Sequence, residues 1–260
     1  MDLGLKDKVV IVTGGANGIG KGIVSGFLEE GSRVVIVDWN EEDGVKTQHE
    51  FASMGHDVSF IRMNVRSVED VELVVSQVVA QYGTIDVLVN DIGTHLYKPS
   101  LEITIDDFNK LIETDLRGHF FMTQKVVPVM KEQGGGAIVN IASVHAWATR
   151  PNFSVYAAAK GGIVSMTRGL ALEFAPDHIR INTVLPGMSI SKAYQQRLDE
   201  LNEEEREKEL TRAAYNTPLG VVGFPKQIGY PVVFLASEKA SFMTGAIVAV
   251  DGGETIHLDW

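Results

Sequence analysis

The stretch VIVTGGANGIG, Val10–Gly20, sets the fold of this chain. Its β-branched residues form a short apolar run, the pattern of a buried strand. The run ends at once in a glycine-rich turn, and a helix-period stretch begins at about residue 17. Gly14, Gly18 and Gly20 are spaced differently from a G-x-G-x-x-G fingerprint. They meet the same physical demand: a tight turn, close backbone approach, and a helix N-terminus aimed at a pyrophosphate. Glycine-rich turns also occur where nothing binds, so the turn alone leaves two readings open. Asp38 weighs between them. It ends the next apolar run, RVVIVD at Arg33–Asp38, twenty residues beyond Gly18. A carboxylate there accepts from both hydroxyls of a ribose. A 2′-phosphate would meet that charge, and no arginine or lysine stands in the glycine loop or directly after Asp38. The expected cofactor is NAD rather than NADP.

The same strand-then-helix pattern repeats along the chain. Further strands are expected at Val58–Met63, Ile85–Asn90, Gly136–Ala142, Ile179–Val184 and Ala246–Asp251, besides Lys8–Thr13 and Arg33–Asp38. Helices are expected at about 17–30, 41–53, 67–82, 104–132, 154–175 and 226–236. Apolar-throughout strands separated by helices imply a parallel sheet covered on both faces. The expected fold is a single α/β domain, residues 1–260, with a doubly wound, Rossmann-type sheet of seven strands and ligands at the carboxyl ends of the strands. One irregular insertion, about 188–217, contains DELNEEEREKEL. Such acidic runs are usually solvated faces, but its place after a strand end also suits a lid over the ligand crevice.

Composition excludes several partners. With 260 residues, 45% of them hydrophobic, the chain has material for a sizeable core. A net charge of −11 argues against nucleic acid or an anionic membrane surface. The absence of cysteine removes disulfides and thiolate metal sites, and no metal is expected. The N-terminal MDLGLKDKVV lacks the basic flank and long apolar core of a signal peptide, and the longest apolar runs are strand-sized. A soluble, cytoplasmic protein is expected.

A second stretch carries the chemistry. SVYAAAKGG, Ser154–Gly162, places Tyr156 and Lys160 one helical turn apart among residues too small to cover them. Together with TGGANGIG, DVLVNDIG, IVNIAS, IRINTVLPG and FLASEKASFMTGAIVAVDGG, in that order along nearly the whole chain, YAAAK resembles the short-chain dehydrogenases/reductases. The resemblance implies Ser143, Tyr156 and Lys160 as the catalytic set. Independent chemistry agrees. Oxidising an alcohol needs a base for the hydroxyl proton, and a free phenol, with a pKa of about 10, is a poor one at neutral pH. An ammonium one turn away stabilises the phenolate, and Ser143 donates to the substrate oxygen.

The resemblance further implies a cofactor site of Gly14, Asn17, Gly18, Ile19, Gly20, Asp38, Asn64, Val65, Asn90, Ile92, Tyr156, Lys160, Pro186, Gly187 and Ser189. Three residues depart from the family pattern. Asp91 follows Asn90 where a second asparagine is usual, and Asn64 stands where an acidic residue usually faces adenine. Asp115, in ETDLRGHF, replaces the catalytic asparagine thought to hold a proton-relay water. A carboxylate there must be charged and paired, or protonated.

For the substrate, His95, Ser143, His145, Arg150, Tyr156 and Met188 are the expected contacts. SVH at Ser143–His145 and the ending DGGETIHLDW resemble sugar dehydrogenases of the family, of glucose and L-fucose type. A histidine there suits a hydroxylated substrate, though His145 could equally be satisfied locally at its strand end. The expected activity is NAD-linked oxidation of an aldose or polyol. The alternatives are a 3-oxoacyl or steroid carbonyl reductase, or a non-catalytic NAD(H)-binding regulator. The resemblance also implies a homotetramer pairing the helices at 104–132 and 154–175, with the seventh strand and tail in another interface. Trp260 is expected to pack on a neighbouring subunit.

Overall fold

Every apolar run expected to be a strand is one. The computed structural model describes residues 2–215 and 217–257, so the expectation for Trp260 lies outside the described residues. The strands are β1 (Val9–Thr13), β2 (Arg33–Asp38), β3 (Val58–Arg62), β4 (Val87–Asn90), β5 (Gly136–Ile141), β6 (Ile179–Pro186) and β7 (Ile247–Val250). All pair in parallel in the order β3-β2-β1-β4-β5-β6-β7. Val10 pairs with Val34 on one side and Val87 on the other. Strand order therefore reverses beside β1, and the crevice opens at the carboxyl ends of β1 and β4.

Alternation along β1 sends its residues into two cores. Val10 and Val12 pack with Ile23 and Phe27 of α1 (Gly18–Glu29) and with Ile228 and Val232 of α9 (Pro225–Ala236). Val9 and Ile11 pack with Val71 and Val74 of α3 (Val68–Tyr82) and Met122 and Val126 of α5 (Gly118–Glu132). Between β2 and β3 lies α2 (Glu41–Ser53), N-capped by Asn40, and α6 (Ser154–Phe174) joins β5 to β6. Burial on both faces explains why these strands are apolar throughout.

Two expectations change in detail. The single helix expected at 104–132 is three segments: α4 (Ile105–Leu111), a wide π turn at Ile112–Arg117, and α5. The wide turn holds Asp115 in the interior at 0% exposure, which a regular helical period does not reveal. The insertion at 188–217 contains α7 (Lys192–Asp199) and α8 (Glu203–Ala213) over a small core of its own, with Ile190, Leu198, Ala214 and Val222. Its acidic residues crowd α8, and α7 lies nearer the crevice. Among the described residues no helix is long and apolar enough to cross a membrane.

A buried polar chain ties the sheet to α6. Asn90 donates through Nδ2 to Oδ1 of Asn140 at 2.9 Å, and Asn140 donates to Oγ1 of Thr167 at 2.9 Å. Asn90, expected to touch cofactor, instead points its amide into the interior toward Asn140 and Thr123. The reason is strand alternation, which turns the last residue of β4 toward the helix layer. Replacing Asn140 with leucine removes the bond to Thr167 and leaves Asn90 Nδ2 only its 3.3 Å bond to Thr123. An unpaired buried group costs about 1–3 kcal/mol, so Asn140→Leu should lower stability by about 1–3 kcal/mol in urea melts.

Candidate active site

The carboxyl ends of the central strands enclose a cavity of about 640 Å³. At one end lies the glycine turn. Gly14 has a φ of +72°, and a β-carbon on Gly20 would sit 2.1 Å from the Gly14 carbonyl oxygen, so only glycine lets α1 start this close to the strand. Asn17, Gly18 and Ile19 line the cavity, while Gly20 lies beneath the turn. The first turn of α1 has no acidic side chain and Asn17 makes no capping bond. The N–H groups of Gly18 and Ile19 are thus available to an anion, while that of Gly20 donates to the Asp91 carboxyl.

Asp38 closes this end. Its carboxylate accepts from Ala16 N at 3.3 Å and Asn40 N at 3.1 Å. Burial raises its pKa against those backbone bonds. Trp39, 71% exposed, stands between this cavity and a second of about 790 Å³, where Asn64 and Val65 lie. Asn64 spends its side-chain oxygen on Arg66 N at 3.1 Å. Beside the turn, burial pushes the Asp91 carboxyl up to about 8, with Lys160 opposing and the Asp38 charge adding to the rise. Asp91 is therefore mostly protonated at neutral pH and sets little charge against a phosphate.

At the other end α6 presents Tyr156 and Lys160. The Lys160 ammonium lies 5.5 Å from the Tyr156 ring centroid and 3.0 Å from Asp115 Oδ2. Asp115 Oδ1 accepts from Thr94 N at 2.8 Å. Burial works against the ammonium, but Asp115 and then Tyr156 outweigh it and push Lys160 up to about 12. Gly93 leaves room for the pair, since a β-carbon there would lie 3.0 Å from Lys160 Nζ. Asp115 does not line the cavity. It is fully buried, and its carboxylate meets the Lys160 ammonium instead of the cavity.

Ser143 lies two residues beyond β5, lines the cavity with Tyr156, and accepts from His145 N at 3.2 Å. His95 stacks on Tyr156 with centroids 5.0 Å apart, and His145 meets it edge-on at 5.3 Å. Burial, then neighbouring cations, lowers the pKa of each imidazole: Lys160 acts on His95, and Arg150 on His145. Both are neutral at pH 7, each with one donor and one acceptor. His145 Nδ1 is engaged by Thr149 Oγ1 at 2.8 Å, so it is satisfied locally and still faces the cavity. Arg150, Pro186, Gly187, Met188 and Ser189 complete the lining, and Ile92 touches both cavities.

Trp39, Phe153 and Glu254 also line the cavity and were not legible in the sequence. Glu254 Oε2 accepts from Met188 N at 3.0 Å, a contact between residues 66 positions apart that carries no local signal.

A family profile described as Enoyl-(Acyl carrier protein) reductase matches residues 14–255. A 7alpha-hydroxysteroid dehydrogenase of Bacteroides fragilis is 34% identical, over 97% of this chain and 96% of its own. The chain is a short-chain dehydrogenase/reductase. A probable galactose dehydrogenase of Rhizobium meliloti is 35% identical, over 96% of this chain and 95% of its own. The crystal structure of gox2181 superposes with a TM-score of 0.89 at 36% identity, covering 97% of both chains. This short-chain dehydrogenase/reductase is thus an oxidoreductase of the alcohol–carbonyl type. The family typically binds a nicotinamide cofactor. The glycine turn, the first N–H groups of α1 and the acidic end of β2 fit such a dinucleotide.

The buried ion pair makes a prediction with a defined sign. In the wild type, Lys160 stabilises the fold below its ordinary pKa of 10.5 and loses that contribution as pH rises toward 12. Asp115→Ala leaves an uncompensated buried ammonium, at a cost of about 3–5 kcal/mol. Burial then lowers Lys160 below its ordinary value. Relative to wild type, the variant should regain stability as pH rises from about 7 to 10. Urea melts across that range check the reversal.

Proposed function

We propose that this enzyme oxidises one hydroxyl of a small polyhydroxylated substrate, an aldose or polyol, using NAD. The observation that carries this reading is the pair of neutral imidazoles, His95 and His145, set against the Tyr156 ring. A site built to bond hydroxyls suits a sugar better than an unsubstituted acyl chain. Similarity to a probable galactose dehydrogenase supports it. Similarity to a 7alpha-hydroxysteroid dehydrogenase supports a steroid or 3-oxoacyl carbonyl reductase as the rival.

In this mechanism Ser143 Oγ donates to the substrate oxygen, and Tyr156 takes the hydroxyl proton as general base. Lys160 favours the phenolate by its charge. Asp115 keeps that ammonium charged and in place. His95 and His145 hold other hydroxyls, so that the reacting one faces the phenol. Gly14, Asn17, Gly18 and Ile19 would hold the pyrophosphate, Asp38 a ribose, and Pro186, Gly187 and Ser189 the far end of the dinucleotide. When bound, the nicotinamide accepts the hydride. A homotetramer is proposed as the assembly, supported by exposed Leu101, Ile105 and Phe108 about α4 and Phe242 before β7. A cytoplasmic location is proposed from the acidic, cysteine-free composition.

A panel of aldoses, polyols, hydroxyacyl esters and hydroxysteroids, followed by NADH absorbance, tests the reading. Sugars should be turned over fastest, and faster turnover of acyl or steroid substrates would replace the reading with the carbonyl reductase. Tyr156→Phe should lower kcat by about a hundred- to ten-thousandfold, while NADH binding, measured by fluorescence titration, persists. For the cofactor, the wild type should prefer NAD over NADP. Asp38→Ala should narrow that ratio chiefly by weakening NAD, as kcat/KM with each cofactor will show.

A further inference from the structure

Among the described residues, Arg150 lines the cavity with no carboxylate paired to it. Five other arginines have carboxylate partners: Arg33 has Asp7 and Asp57, Arg66 and Arg117 have Glu113, and Arg197 and Arg212 have Glu209. Arg62, Arg168 and Arg206 have none among the described residues, but Arg150 is the arginine that lines this cavity. Arg150 lines the same cavity as Tyr156 and has no hydrogen bond or ion pair among the described residues. It lies over a ring face, with the guanidinium carbon 5.2 Å from the Phe153 centroid, and its charge acts on His145. That ring is itself fixed. Phe153 is buried, packed on Tyr97 at 5.1 Å, His145 at 4.5 Å and Tyr156 at 5.9 Å. A cation–π contact of this kind holds the planar guanidinium without using its N–H donors.

The carboxylates that share the cavity are committed elsewhere. Asp38 and Asp91 lie at the glycine-turn end, and Glu254 bonds Met188 N. Arg150, His145 and Tyr156 therefore form a short row along the substrate end, Phe153 bridging them. The row offers a base, then a neutral donor–acceptor, then a forked cation. A guanidinium with free donors matches a carboxylate.

We propose that Arg150 anchors a carboxylate on the substrate, so that the physiological substrate is a sugar acid, uronic or aldonic, rather than a neutral sugar. This rests on the polyol-oxidising reading above and narrows it. In an acidic protein, a cation here also favours an anionic polyol that the net charge would otherwise repel.

The test compares matched pairs with the NAD-loaded enzyme: glucuronate and glucose, galacturonate and galactose, gluconate and sorbitol. In the wild type kcat/KM should favour the acid by about ten- to a hundredfold, the worth of one charge-assisted bond. That ratio should fall to about one in Arg150→Met and be partly kept in Arg150→Lys. Neutral sugars turned over as well as their acids, or an acid preference surviving Arg150→Met, would overturn the carboxylate assignment and leave the polyol reading standing. Preference for glucose 6-phosphate over glucuronate would overturn it in favour of a phosphoryl group. If no polyol reacts, the polyol reading fails, and fluorescence titration of the NADH complex decides the anchor alone. Gluconate binding that is lost in Arg150→Met upholds it; no such binding refutes it.

Discussion

The buried ion pair of Lys160 and Asp115 is the constraint on which this site depends. An ammonium removed from water is tolerated only where an anion sits against it and the remaining valences are bonded. Here the anion comes from a wide turn between α4 and α5, at 3.0 Å, and its second oxygen is held by Thr94 N. Three segments far apart in sequence must therefore dock before the lysine of α6 can be buried. Once docked, the positive charge stands beside the Tyr156 ring, where a phenolate would need it. The same contact that specifies the packing of α6 also prepares its chemistry.

Charge is sorted along the cavity by similar logic. At the glycine-turn end, Asp38 and Asp91 are close enough to repel. Burial and that repulsion keep Asp91 mostly protonated at neutral pH. At the substrate end, burial beside Lys160 and Arg150 keeps two imidazoles neutral. The cavity thus combines an acidic strand end, a glycine turn and a wall of two imidazoles around the phenol. Behind it, His119 is a histidine of a different kind. It is fully buried, bonded to Ile92 O at 2.9 Å, and its pKa is pushed down to about 3 chiefly by burial, so it stays neutral. Its place is structural, holding the end of β4.

Rigidity behind the site comes from polar groups inside apolar strands. Asn90 and Asn140 interrupt runs that are otherwise valine and isoleucine, and each would be costly if unpaired. Paired to each other and to Thr167, they fix the register of β4, β5 and α6. That register sets where Ser143, just beyond β5, lies relative to Tyr156 and Lys160 of α6.

Much of this was determined by the sequence alone, because it rests on local pattern. β-Branched runs alternating with helical stretches dictate a parallel sheet covered on both faces, and the glycine turn after β1 with Asp38 at the end of β2 points to the doubly wound form. Glycines at 14, 18 and 20 dictate a turn against a helix start. YAAAK dictates a phenol and an ammonium on one helical face. The tertiary structure decided what depends on contacts across the chain. It turned Asn90 inward, made Asp115 a partner of Lys160, divided one expected helix at a π turn, and brought Trp39, Phe153 and Glu254 to the cavity. None of these has a periodicity to read, because each is fixed by a neighbour dozens of residues away or by the extra residue of a widened turn. Sequence settles which backbone each segment prefers; only packing settles which buried charge finds its counter-ion.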